Sequence, residues 1–198
     1  MNEIEYISIE ESHVGLICKI HQIELKVGIL NLFGPKFLEN MYISLLRKGN
    51  WGFLAKVNDD VIGFIFATKY QLSLINCLCS HSLFCLLINL LRNPLKLISF
   101  IMAIRHYYFG KQNEKIISTE NMIELSHFAV REEWKGFGVG KILVEKLENK
   151  ASQCGFNFVF TRTHNERLSK YYINKKNAFL ITTHLLGSYE TSVLKWKI

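Results

Sequence analysis

A chain of 198 residues, 49% of them hydrophobic, can bury one ordinary core, which excludes a disordered or low-complexity chain. Its net charge of +7 suits a polyanionic ligand but would equally suit nucleic acid or an anionic membrane. The basic residues are scattered and form no dense patch, so no nucleic-acid partner is expected.

Glu3 to Glu10 reads as a first strand, with imperfect alternation because Tyr6 and Ile7 are adjacent. Helical periodicity follows over His13 to Lys26 and, after Gly34-Pro35, over Lys36 to Lys48. Trp51 to Val57 and Val61 to Tyr70 are strand-like runs joined by Asn58-Asp59-Asp60, a hairpin signal. Strands return near Ile123, Phe156, Leu180 and Thr191. Without repeats or a linker, residues 1–198 read as one α/β domain.

A heavily apolar stretch, Leu72 to Ile104, interrupts this order, and Gln71 to Leu91 carries no formal charge over twenty-one positions. Its polar residues (Ser73, Asn76, Ser80, His81, Ser82, Asn89) and the need for flanking strands to share a sheet argue against a membrane span. Two helices broken at Asn93-Pro94 fit better, giving a helical insertion of about 72–116. It is expected mainly to extend the core and form a homodimer contact. Cover over a cleft, or docking on a membrane surface through Arg92, Lys96, Arg105, His106 and Lys111, are the alternatives. Cys77-x-Cys79-x-His81 lacks a standard zinc spacing, and no metal is expected. The five cysteines (Cys18, Cys77, Cys79, Cys85, Cys154) form no disulfide framework, and the acidic opening Met1-Asn2-Glu3-Ile4-Glu5 lacks the apolar core of a secretory leader. A reducing cytoplasm is the expected setting.

The most informative stretch is Val130 to Val144. A strand precedes it, glycines stand at alternate positions (Gly136, Gly138, Gly140), and an amphipathic helix follows. Such glycines let backbone approach a ligand closely, and the N–H groups at the helix start favour anions. The reading is a pyrophosphate cradle. A Walker loop does not fit, because Gly140-Lys141 is followed by Ile142, and a dinucleotide fingerprint fails at Lys141.

The segment resembles the acetyl-CoA loop of the GNAT superfamily of N-acetyltransferases, Arg/Gln-x-x-Gly-x-Gly/Ala. That pattern falls on Lys135, Gly136, Phe137, Gly138, Val139 and Gly140, with Lys135 in place of Arg or Gln. Glu124 to Val130 is similar to the family's fourth strand, whose backbone pairs with the pantetheine amides, here at Phe128, Ala129 and Val130. Downstream, Asn165, Leu168 and Tyr171-Tyr172 resemble the family's Asn-x-x-Ala-x-x-Phe/Tyr-Tyr segment. Asn177-Ala178-Phe179 stands where the family has Gly-Phe, about two residues late and with Ala for Gly. The resemblance covers roughly residues 120 to 180. It implies a mixed central sheet flanked by helices, with the helical insertion lying before the fourth strand.

It also implies acetyl-CoA as cosubstrate, a primary amine as acceptor, and direct transfer in a ternary complex. The cofactor-binding residues would be Phe128, Ala129, Val130, Lys135 to Lys141, and Asn165, the last with an N-cap role as rival or companion. The chemistry needs a base for the ammonium and an acid for the thiolate. Glu124 stands near the glutamate base of the histone-acetylating branch, against the plain reading of a surface glutamate at a strand start. His127 is a second base candidate, against a packed histidine. Strict alternation puts it opposite Glu124, although the family bulges this strand. Tyr172 is the candidate acid, against a core aromatic. The layout with a long apolar insertion is similar to enzymes of surface-polysaccharide and amino-sugar biosynthesis, so the expected acceptor is an amino sugar or sugar nucleotide. A protein or peptide amine is the runner-up. The rival class is an acyl-CoA-binding module of the same fold without turnover.

Overall fold

The computed structural model describes residues 3–25, 30, 34–69, 121–186 and 189–198. Eleven elements are numbered here among them. They run β1 (Ile4–Ser8), α1 (Val14–Glu24), α2 (Pro35–Arg47), β2 (Trp51–Val57), β3 (Asp60–Thr68), β4 (Met122–Val130), α3 (Val139–Gln153), β5 (Phe158–Thr163), α4 (Glu166–Lys176), β6 (Phe179–Leu186) and β7 (Tyr189–Lys197). The insertion expected at 72–116, its basic cluster, its dimer or membrane role and the Cys77-x-Cys79-x-His81 group lie outside the described residues.

Seven strands form one sheet in the order β1-β2-β3-β4-β5-β7-β6. All neighbours are antiparallel except β4 and β5, which run parallel. The reason is local: β4 leads into α3, and a strand joined to the next by a helix returns in the same direction. The β2–β3 hairpin turns at Asn58, held at φ 54°, which asparagine tolerates better than most residues. The sheet is mixed α/β, as expected.

Helices cover both faces. Ile17, Ile20, Leu38, Met41 and Tyr42 of α1 and α2 bury against Leu54, Phe64, Phe66 and Ala129. On the opposite face Val139, Leu143 and Leu147 of α3 and Tyr172 of α4 bury against Ile65, Ile123, Leu125, Val159, Leu194 and Trp196. A third, smaller group, Met122, Phe160 and Val193, lies toward the β6 end. Among the described residues no helix is long and apolar enough to cross a membrane, and no group of three or more His, Cys, Asp or Glu is placed to hold a metal.

Two boundaries repay a physical account. Cys154 caps α3, and Gly155 follows at φ 83°, the left-handed turn that glycine adopts without penalty. The end of α4 differs from expectation. The left-handed residue is Asn177 (φ 50°, ψ 41°), and the Ala178 N–H reaches back to the Tyr172 carbonyl at 3.1 Å. Asn177, not Ala178, therefore supplies the left-handed residue that ends α4.

Candidate active site

The parallel ladder between β4 and β5 is short. It pairs Met122 with Phe158 through Leu125 with Thr161 and then stops, although β4 continues to Val130. At the last rung the Thr161 hydroxyl donates to the Leu125 carbonyl at 2.9 Å. Beyond it, residues 126–130 keep β3 on one side and have no described strand on the other. Parallel strands that part in this way leave backbone N–H and C=O groups that need partners. The gap lies in mid-sheet, where an extended amide-bearing ligand can supply them.

The loop after β4 turns toward this gap. Arg131 holds its start with two hydrogen bonds to Asp60, at 2.6 and 2.8 Å, and its N–H bonds the Ile62 carbonyl. A 3-10 turn over Glu132–Trp134 follows. Gly136 (φ 93°) and Gly138 (φ 83°, ψ −3°) take left-handed conformations that residues with Cβ adopt at a cost of about 1–2 kcal/mol. Gly140 is needed for a different reason. A Cβ there would sit 3.0 Å from the Phe128 ring, so the absence of a side chain lets α3 lie close on β4. Val139, fully buried, anchors the first turn of α3.

No side chain caps α3, and its first turn carries no acidic residue. The leading N–H groups, those of Val139, Gly140 and Lys141, have no carbonyl within their own helix to bond. With the helix dipole they favour an anion. Lys141 is exposed and pairs with Glu145 at 3.8 Å. Phe137 stands 61% exposed on the loop. Lys135 is turned another way: its ammonium bonds Glu24 of α1 at 3.1 Å and Glu132 of its own turn. Its side chain thus ties the loop to α1 in this structure.

Asn165 caps α4. Its Oδ1 accepts from the Leu168 N–H at 3.1 Å, and its own N–H bonds the Thr163 hydroxyl. Tyr172, two turns on, is 1% exposed and stacks on Trp196 with ring centres 4.9 Å apart and planes 14° from parallel. Burial and the neighbouring Tyr171 and Glu148 push its phenol up, so it keeps its proton at any physiological pH. The glycine loop leads into α3 on the same face of the sheet as Tyr172.

Glu124 and His127 lie on the other face. Strict alternation would separate them, but β4 bulges at Ser126, whose hydroxyl donates to the Phe66 carbonyl at 3.1 Å. Phe66 pairs with His127 and Ala67 with Leu125, so one residue of β4 has no counterpart. The bulge resets the parity, and Glu124, His127 and Ala129 share the α1/α2 face with their partners Thr68, Phe66 and Phe64. Glu124 is not a surface residue. It is 5% exposed and ion-paired with Arg162 of β5. His127 packs in a ring cluster with His21 and Tyr42, at centroid distances of 5.2 and 5.4 Å. His21 Nδ1 and the Tyr42 hydroxyl share a 2.8 Å hydrogen bond. Burial pulls the His21 imidazole down to about 4 and His127 well below the ordinary range, so both are neutral at pH 7. His127 Nδ1 and Thr68 Oγ1 are buried with no hydrogen-bond partner.

The structure thus puts the glycine loop and Tyr172 on one face of the sheet and brings Glu124 and His127 together on the other. Arg162, Thr68, His21 and Tyr42, which lie beside these two, were not singled out from the sequence. The arginine alone carried a signal, a charge inside an otherwise uncharged strand, Phe158–Thr163.

A family model for the acetyltransferase (GNAT) family matches residues 30–178, well over half of the chain. The protein belongs to the GNAT acetyltransferase family. No curated protein sequence matches it significantly. Solved structures share its fold at low identity. A ribosomal-protein-alanine N-acetyltransferase from Brucella melitensis superposes with a TM-score of 0.63 at 9% identity, over 98% of this chain and 99% of that one. The ribosomal-protein-S18-alanine N-acetyltransferase from Escherichia coli gives 0.60 at 10% identity, over 99% and 94%. An N-acetyltransferase from Thermoplasma acidophilum, solved in complex with coenzyme A, gives 0.57 at 10%, over 99% of each chain.

Proposed function

We propose that this protein is an acetyl-CoA-dependent N-acetyltransferase acting on a primary amine by direct transfer. The observation that carries this reading is the parting of β4 from β5 beside an uncapped, glycine-led helix N-terminus. The fit to coenzyme A rests on those same features. The Gly136–Lys141 backbone and the α3 N-terminus suit a pyrophosphate. The unpaired edge of 126–130 suits the amides of a pantetheine arm, with Asn165 at the far wall. When bound, acetyl-CoA supplies an acetyl group as a reactive thioester.

The chain's own residues divide the remaining work between the two faces. Glu124, on the α1/α2 face one rung before the gap, receives a proton from the incoming ammonium, directly or through water. Tyr172, on the α3/α4 face, donates its phenolic proton toward the leaving sulfur. The ammonium gives up two protons in all: one replaces that of Tyr172 and the other leaves through Glu124. His127 is packed against the His21 and Tyr42 rings, and burial makes its imidazole harder to protonate, so it suits a packing or hydrogen-bonding role.

Two acceptor classes deserve assay. An amino sugar or sugar nucleotide suits the net charge of +7. A protein or peptide N-terminus is suggested by the alanine acetyltransferases that share the fold. The test is calorimetry with acetyl-CoA, followed by thiol release with glucosamine, an amino-sugar nucleotide and alanyl peptides. Micromolar binding with turnover of any of these supports the reading. Binding without turnover of any amine favours the non-catalytic module, and absence of binding removes the proposal.

A further inference from the structure

Glu124 has neighbours on its face of the sheet that no part of the glycine-loop pattern contains. Thr68 stands directly across from it on β3, and directly opposed strand residues bring their Cβ atoms to about 5 Å. His127 is the next residue of β4 on that face once the Ser126 bulge is counted. Arg162 reaches Glu124 from β5 by an Nη1–Oε1 hydrogen bond, while its guanidinium lies 5.3 Å from the centre of the Phe160 ring. The Arg162 side chain is 23% exposed and the Glu124 side chain 6%. Among the described residues the other titratable groups near this face include His21 and Tyr42, behind His127 and bonded to each other, Cys18 of α1 in the same core group, and Lys195, the register partner of Phe160 on β7. Thr68 and Phe160, the register partners of Glu124, carry no charge.

Two of these groups are anomalous. Thr68 Oγ1 and His127 Nδ1 are buried without a partner, an arrangement that costs about 1–3 kcal/mol each if nothing fills it. Both flank Glu124, the one buried carboxylate among the described residues, close to where β4 and β5 part. A primary ammonium has three N–H donors and no acceptor. The face offers three acceptors: the Glu124 carboxylate, the Thr68 hydroxyl oxygen, and His127 Nδ1 in the tautomer protonated on Nε2.

We propose that Glu124, Thr68 and His127 form the nest that receives the acceptor's primary ammonium, with Arg162 as the positioning residue that keeps Glu124 ionised and aimed. This deepens the acetyltransferase reading and rests on it for the direction of approach. Secondary and tertiary amines fill the nest incompletely, so primary amines are the substrate class. A carboxylate beside a guanidinium favours its charged form, and loss of the cation raises its pKa.

The first test needs no turnover. In protein labelled with 13C at the glutamate carboxyl, Glu124 is assigned by its loss in Glu124→Gln. Saturable shift of that resonance by alaninamide, and none by N-acetylalaninamide, is expected in the presence of coenzyme A. In Arg162→Met the same resonance should titrate about one pH unit or more higher than in wild type, with Arg162→Lys between. The second test is Thr68→Val. A purely structural threonine predicts no kinetic effect, because its hydroxyl has no partner to lose. The nest predicts unchanged or greater thermal stability, unchanged acetyl-CoA affinity, and a rise of roughly tenfold in KM for the amine. Titration unaltered in a folded Arg162→Met, or Thr68→Val kinetics equal to wild type, overturns the nest while leaving the acetyltransferase intact. Failure of wild type to bind acetyl-CoA overturns the function, and the alaninamide titration repeated without coenzyme A then decides the nest.

Discussion

The two faces of the sheet are built on different principles. On the α3/α4 face the site is backbone: glycines with positive φ, a helix N-terminus and a strand edge, over a core that is largely apolar. On the α1/α2 face it is side chain: a buried carboxylate, two neutral imidazoles and a phenol set among apolar residues, with a partly exposed guanidinium beside the carboxylate. Backbone features can hold a ligand common to many proteins. Side-chain features select what meets it, and they are free to differ from one chain to the next.

The largest expected effect breaks the backbone face. Gly138→Asp places a side chain at φ 83° and a negative charge beside the anion site. Acetyl-CoA affinity should fall by about a thousandfold, roughly 4 kcal/mol. Gly138→Asn carries the same strain without the charge, and asparagine tolerates this conformation. Calorimetry on the pair separates strain from charge: similar losses in both would mean that the anion reading of this helix start is wrong. Next comes Tyr172→Phe, which keeps the stack on Trp196 and removes only the hydroxyl. Turnover should drop about a hundredfold while acetyl-CoA affinity holds within a factor of about two. Normal turnover would return Tyr172 to the core as a plain aromatic.

The other face should respond to pH instead. His21 in the folded protein sits at about 4 against about 6.5 for an unfolded chain, so its stabilising contribution is complete above pH 6.5 and is lost as pH falls through 4. Between pH 7 and pH 5 this amounts to about 2 kcal/mol, and His127, depressed for the same reason, acts with the same sign. Urea unfolding at the two pH values should show the loss in wild type and much less of it in His21→Phe. Equal losses in the two proteins would show that the ring cluster does not carry the acid sensitivity.

This contrast also explains what could be read from the sequence. Backbone chemistry leaves a local trace, because only glycine adopts the required φ freely, and so Gly136, Gly138 and the strand and helix around them were legible. Tyr172 and Asn165 were singled out only because their segment resembles the family's Asn-x-x-Ala-x-x-Phe/Tyr-Tyr pattern. The face of His127 was not legible, since one bulged residue at Ser126 reverses the parity of everything after it. Nor was the Glu124–Arg162 pair, whose members are 38 residues apart and meet only through the β4–β5 register. Thr68 is harder still, an ordinary strand residue whose interest lies in a missing partner.

The smallest effect tests the one place where a local rule was satisfied by an unexpected residue. Asn177 ends α4 at φ 50° and sets the direction in which the chain leaves Tyr172 for β6. If the left-handed conformation is the requirement, Asn177→Ala should cost about 1 kcal/mol, because alanine enters that region less readily than asparagine. Asn177→Gly should be close to neutral, because freedom in the folded turn is offset by greater freedom in the unfolded chain. If instead the asparagine side chain is what matters, both substitutions should destabilise alike. Thermal unfolding resolves the difference, since about 1 kcal/mol in a protein of this size moves the midpoint by roughly 2–4 °C. Opposite behaviour of the two variants would place Asn177 with Gly136 and Gly138, as a position fixed by backbone and indifferent to side-chain chemistry.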